Sequence, residues 1–199
     1  MDAMLGFILS HIFPGNKYRK YQLDPYDKGK HLEYLTYKSL RHFESEGGKF
    51  LFNTLVPKWN GETTEVDLLL ICSKGLFVFE CKNYSGWIFG TETQRQWTQT
   101  LPKGRGRCHK EHFYNPIMQN ASHIRHLKNL FGRDLPMRSI IVFSDRCVLK
   151  DVTVYSDDIA IIKHGIIASA VRSICKQMQD VYTEAEIKAI YNALHPYRK

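Results

Sequence analysis

Two kinds of hydrophobic spacing alternate along this chain, and each predicts a different element. Between about residues 27 and 44, Leu32, Leu35, Leu40 and Phe43 recur at helical intervals. A helix is therefore expected to begin at or beside Asp27 and to stop at Gly47-Gly48. Residues 50–56, Phe-Leu-Phe-Asn-Thr-Leu-Val, read as a strand closed by Pro57, and Asn60-Gly61 marks a turn. Two further apolar runs follow, Glu65-Val66-Asp67-Leu-Leu-Leu-Ile71 and, after Cys72-Ser73-Lys74-Gly75, Leu76-Phe-Val-Phe-Glu80-Cys81-Lys82. Both are apolar at odd and even positions alike, the pattern of central strands covered on both faces. Residues 87–90 and 96–101 are short strand candidates, and 102–107, Pro-Lys-Gly-Arg-Gly-Arg, reads as a basic loop. Asn115-Pro116 starts a second helix, with Asn as cap and Pro at the first helical position, and Gly132 ends it after Phe131. A buried strand over 138–144, a shorter one over 159–162 and helices near 165–178 and 184–194 complete the chain. This order, helix, three strands, helix, strand, is α/β without strict alternation. It predicts a mixed α+β arrangement, a central mixed β-sheet flanked by helices, rather than a doubly wound parallel sheet.

Charges stand at the far ends of the two central runs. A two-residue turn at Ser73-Lys74 sets Asp67 opposite Glu80, whereas a turn at Lys74-Gly75 sets it opposite Lys82; either register sends all three side chains to one face. A salt bridge at the end of a hairpin is the simplest account of such a trio. Yet two buried carboxylates sharing one ammonium leave an uncompensated charge, at a cost on the order of several kcal/mol unless a metal or a proton supplies it. A metal site is therefore favoured. Oxygen ligands for a divalent cation, with a lysine to offset developing negative charge, are what metal-assisted phosphodiester hydrolysis requires.

Composition adds to this picture. The 199 residues suit one domain, taken as residues 27–199 behind an N-terminal apolar helix and linker over 1–26. The excess of 28 Lys+Arg over 20 Asp+Glu gives a net charge of +8, which favours polyanionic partners. Lys103, Arg105 and Arg107 are candidate phosphate contacts between glycines, and Tyr84 and Trp87 are rings able to stack on bases. Five cysteines, an odd number, fit reduced thiols and a cytoplasmic location. Cys108-His109-Lys-Glu-His112 lacks the second Cys/His pair that zinc would want. Residues 1–13 are too short to span a bilayer, which takes about 20 apolar residues. A secretory signal is disfavoured by Asp2 and the late first Lys or Arg, Lys17. A helix packed on the domain is favoured over an anchor on a membrane surface.

With an acid, Glu33, in the first helix, Asp67 on the second strand and Glu80-x-Lys82 on the third, the chain resembles the PD-(D/E)xK superfamily, the restriction-endonuclease-like fold. More narrowly it resembles the nuclease-related domain (NERD) family. That likeness is carried by residues 29–33, Glu65-Val66-Asp67, Gly75 through Lys82-Asn-Tyr-Ser-Gly86, Trp97 and Asn115-Pro116-Ile-Met-Gln119-Asn120. The resemblance implies a Mg²⁺- or Mn²⁺-dependent nuclease. Asp67, Glu80 and the Cys81 backbone carbonyl would be metal ligands and Lys82 the catalytic cation, with Glu33 and Gln119 as helpers. Hydrolysis of DNA with low sequence specificity is the expected activity. The competing expectation is a nucleic-acid-binding or regulatory module with little catalysis, associated with a membrane surface through residues 1–13.

Overall fold

The computed structural model describes residues 30–104, 106–132 and 134–199. Helix α1 spans His31–Leu40 and tightens into a 3₁₀ turn, Arg41–Glu44. The expected start at Asp27 and the whole of segment 1–13 lie outside the described residues. Strands β1 (Lys49–Pro57), β2 (Thr63–Cys72) and β3 (Gly75–Lys82) follow, then β4 (Gly86–Thr91), β5 (Gln96–Gly104) and β6 (Arg107–Tyr114). Helix α2 (Pro116–Phe131) leads to β7 (Met137–Phe143), β8 (Cys147–Thr153) and β9 (Ile159–Lys163), and helices α3 (Ile167–Lys176) and α4 (Glu184–Leu194) end the order.

The central sheet has the order β1-β2-β3-β7-β9, antiparallel from β1 to β3 and parallel from β3 through β7 to β9. It is mixed and helix-flanked, and β3 is its middle strand. Alternation along the strands divides the core. Leu68, Leu70, Phe77 and Phe79 pack with Leu32, Tyr37 and Leu40 of α1 and Val171 of α3. On the opposite face Leu69, Ile71, Leu76 and Val78 meet Leu127 of α2 and Ile187, Ile190 and Leu194 of α4. This explains why residues 68–71 of β2 and 76–79 of β3 are apolar at consecutive positions. Among the described residues no helix is long and apolar enough to cross a membrane.

A second, four-stranded sheet, β6-β5-β4-β8, departs from the expected order. The basic loop is shorter than its composition suggests, because Pro102 to Gly104 extend β5 and Arg107 opens β6. Strands β6 and β8 escape a periodicity argument for a physical reason: both are edge strands, and β6 is exposed along most of its length. The inner face of this sheet supplies Ile88, Trp97 and Cys147 to a third cluster with Ile117 of α2 and Ile141 and Phe143 of β7. Trp97 stacks on Phe143 with centroids 6.2 Å apart and donates its indole N–H to the Thr91 carbonyl at 2.9 Å. Gly90 makes room for that ring, since a Cβ there would lie 2.3 Å from it. Gly90→Ala is therefore expected to destabilise the fold by about 1–3 kcal/mol through overpacking, readable as a lowered urea midpoint at unchanged slope.

Candidate active site

The pairing of β2 with β3 runs from Leu68 opposite Phe79 to Cys72 opposite Gly75, so the turn is Ser73-Lys74. One step further along this register Asp67 stands across from Glu80, which decides between the two arrangements left open by the sequence. The Asp67 carboxylate reaches on to accept the Cys81 backbone N–H at 2.8 Å. On its other side, β1 interrupts its regular pairing between Phe52 and Thr54. The residue between them, Asn53, has φ +46°, a left-handed conformation that Asn tolerates better than most residues. Glu65, two residues before Asp67, has its own partner, with the Lys199 ammonium 3.3 Å from Oε2.

Glu80 is 1% exposed and has both carboxylate oxygens engaged. Lys82 Nζ lies 2.7 Å from Oε1 and also donates to Gln119 Oε1 at 3.0 Å. His123 Nε2 lies 3.2 Å from Glu80 Oε2, while its Nδ1 is 2.9 Å from the Thr64 hydroxyl. The chain of contacts thus runs Thr64, His123, Glu80, Lys82, Gln119. Helix α2 holds two of its members in place because its start is pinned. Asn115 Oδ1 accepts the Ile117 N–H at 2.8 Å, and its Nδ2 donates to the Gln94 and Glu92 carbonyls at 2.6 and 2.9 Å. One turn on, Asn120 Nδ2 donates to the Val78 carbonyl at 2.8 Å and Ser139 Oγ at 2.9 Å, fastening α2 across β3 and β7. His123 and Thr64 were not singled out in the sequence. The available signal was the spacing of His123 four residues after Gln119, which puts both on one helical face.

Electrostatics follow from this crowding. Part of Asp67 reaches the surface, yet burial, followed by repulsion from Glu80 and Glu33, holds its carboxyl well above the usual carboxylate range; the Cys81 N–H and Lys82 oppose the rise only in part. Burial works against the charge of Lys82, but the attraction and hydrogen bond of Glu80 and the field of Asp67 prevail, so its ammonium is held above the ordinary lysine value. The Cys81 thiol is pushed well up by burial, then by Asp67 and Glu33. The Glu33 carboxylate of α1 is thus close enough to act on the cluster.

A divalent cation fits this donor set. Asp67 and Glu80 bear on the one Lys82 ammonium while Glu33 adds to the negative field at Asp67, and the carboxylate oxygens are hard ligands of the kind Mg²⁺ and Mn²⁺ take. Among the described residues no group of three or more His, Cys, Asp or Glu side chains forms a ready-made metal cage. Two carboxylates and a carbonyl completed by water match the way Mg²⁺, which dehydrates reluctantly, is commonly held.

The remaining expected contacts take no part in this chain of hydrogen bonds, although Tyr84 is near enough to Lys82 and Glu80 for their charges to act on it. Lys103 and Arg107 stand exposed on the β5–β6 hairpin, and Arg105 between them lies outside the described residues. The Tyr84 ring packs edge-on to Phe113 at 4.6 Å and tilted to Phe143 at 6.4 Å, and its phenol is raised first by burial.

A mixed sheet whose central hairpin carries Asp67 and Glu80-x-Lys82, crossed by a helix that delivers Gln119, defines the restriction-endonuclease-like class of the PD-(D/E)xK superfamily. Within that class the chain belongs to the nuclease-related domain family, whose match covers residues 28–144. It is similar also to an uncharacterized protein of Bacillus anthracis, 33% identical over 168 residues, a stretch that covers 84% of this chain and 75% of that relative.

Proposed function

We propose that the protein is a Mg²⁺- or Mn²⁺-dependent nuclease that hydrolyses DNA phosphodiester bonds with low sequence specificity. The observation that carries this reading is the surplus of buried negative charge around Asp67, which burial, Glu80 and Glu33 together make hard to ionise without a further cation. Asp67, Glu80 and the Cys81 carbonyl would hold the ion. When bound, it would supply Lewis acidity toward a phosphodiester oxygen and lower the pKa of a water. The chain's own residues do the rest. Lys82, charged and braced between Glu80 and Gln119, offers a fixed ammonium to the negative charge that grows on the phosphate. Gln119 keeps its amide N–H₂ for a water or a phosphate oxygen, because its carbonyl oxygen is turned to Lys82. Contacts of this kind address the sugar–phosphate backbone and carry no base information, which accounts for low specificity. The cytoplasm is the proposed compartment, since all five cysteines are unpaired thiols.

One observation favours the competing reading, a binding or regulatory module with little catalysis: both Glu80 oxygens are already occupied, by Lys82 and His123. The two readings part in one assay. Wild type, Glu80→Gln and Lys82→Met are incubated with linear, circular and single-stranded DNA in Mg²⁺, Mn²⁺ or EDTA. Metal-dependent cleavage lost in both variants is expected; cleavage unchanged in either would overturn the site assignment. DNA binding by wild type without cleavage would establish the binding module.

His123 holds Glu80 from outside the set of proposed ligands, which makes it a positioning residue. His123→Ala is expected to weaken Mn²⁺ binding about 10–100-fold, measured by titration calorimetry, with the fold retained. Unchanged affinity would mean that Glu80 needs no such brace.

A further inference from the structure

The outer face of the second sheet is open at Trp87, Val148 and Lys110, with Thr100 buried between them. The strand registers set Val148, Trp87, Thr100 and Lys110 side by side in one row across β8, β4, β5 and β6. Trp87 is 51% and Val148 50% exposed, whereas the alternate residues of the same strands, Ile88 and Cys147, are fully buried in the cluster beneath. The Lys150 ammonium lies 5.9 Å from the centre of the Trp87 ring. Lys110 is exposed at the other end of the row, and Lys103 and Arg107 are exposed where the β5–β6 hairpin turns. Asp151 beside Lys150 is the acid on this stretch of β8.

We infer that this face is a binding platform for single-stranded nucleic acid, with a base stacked on Trp87 and phosphates held by Lys110 and Lys150. This rests on the nuclease reading and names the form of its substrate. The charge is complementary to a polyanion, and an exposed indole offers a π-face to any base regardless of sequence. Lys150 has a flexible stem, so its ammonium can leave the ring for the phosphate of the base that takes its place. A duplex has no free base faces to offer, and a broad sheet face does not enter its grooves as a helix or two-stranded ribbon does. The platform also lies within reach of the carboxylate cluster. Trp87 is five residues beyond Lys82, so their Cα atoms are at most roughly 18 Å apart. A strand at about 3.4 Å per nucleotide crosses that distance in about five nucleotides.

The test measures binding and cleavage on the same preparations. Fluorescence anisotropy in EDTA follows labelled oligo(dT) and oligo(U) about 20 nucleotides long, longer than the site of a single platform, and a DNA duplex of equal length. The proteins are wild type, Trp87→Ala, the double variant Lys110→Gln/Lys150→Gln, and Trp59→Ala as a control at a ring on a different hairpin. One lost stacking contact weakens binding about fivefold or more. That loss is expected for Trp87→Ala on single strands, with little change on the duplex or in Trp59→Ala. The double lysine variant, which removes no ring, is expected to bind more weakly and with a shallower salt dependence. It decides the matter if Trp87→Ala fails to fold. Binding of single strands at wild-type strength by the folded variants, or no binding by wild type, would overturn the platform. Mg²⁺-dependent cleavage by wild type alongside that result would leave the nuclease reading standing. Trp87-dependent binding without cleavage would sustain the platform and remove the nuclease.

Discussion

Asp67→Asn is expected to raise the unfolding temperature of the protein in EDTA by roughly 2–8 °C, equivalent to about 1–2 kcal/mol, while cleavage is lost. The Asn side chain keeps an oxygen to accept the Cys81 N–H and removes the charge that burial, Glu80 and Glu33 all oppose. The sign of the pH dependence follows from the same cause. The folded-state pKa of Asp67 is raised above its unfolded value, so over the interval between the two the folded state binds more protons than the unfolded state. Stability is greatest below the unfolded value, near 4, and is lost as pH rises through the folded value. The advantage of Asp67→Asn over wild type should therefore be small near pH 4 and grow as pH rises, levelling off once Asp67 ionises in the folded protein. A constant difference across that range would show that Asp67 is not the strained group. Strain of this kind is the usual trade of stability for function.

Lys82→Ala should act in the opposite direction, with a loss of about 3–5 kcal/mol in EDTA, because it leaves Glu80 and Asp67 without their shared cation. Catalysis should fall by about 10²–10³ at least, as when a preorganised charge-stabilising group is removed. Mg²⁺ is expected to restore part of the lost stability, and saturation at about 100 times its dissociation constant corresponds to roughly 2.7 kcal/mol. The readout is the thermal midpoint against Mg²⁺ concentration in wild type, Lys82→Ala and Lys82→Ala/Glu80→Gln. A midpoint that Mg²⁺ does not move in wild type or in Lys82→Ala would count against the metal site. Taken with Asp67→Asn, the two substitutions remove opposite charges from one cluster and should move stability in opposite senses, whereas a purely structural salt bridge would lose stability in both.

The central hairpin was legible because burial on both faces writes itself into the consecutive apolar residues 68–71 of β2 and 76–79 of β3, and because two carboxylates sharing one ammonium at the end of such runs leave a charge uncompensated. Asn115-Pro116 and Gly132 were legible for a local reason: a cap residue, a fixed proline φ and a left-handed glycine act within one helical turn. Strands β6 and β8 were not, since an exposed edge strand has no alternation to display, and β6 reads as a polar loop until β5 pairs with it. The open face around Trp87 was hidden with them. One ring in a sequence does not tell which side of a sheet it takes, and Tyr84, three residues away, turns inward to Phe113 instead.

By itself the sequence determined the elements whose cause is local or periodic, the mixed sheet with its flanking helices, and the three charged groups Asp67, Glu80 and Lys82. The tertiary structure decided the register that sets Asp67 across from Glu80, through a two-residue turn the sequence left open. It also decided the pairing of Glu65 with Lys199, and the convergence of Glu33, Gln119, His123 and Thr64 on the cluster from α1, α2 and β2. Electrostatic strain depends on distance in space and on exclusion of water. Neither is a property of neighbours along the chain, so the raised carboxyl of Asp67 exists only once the helices have closed over the sheet.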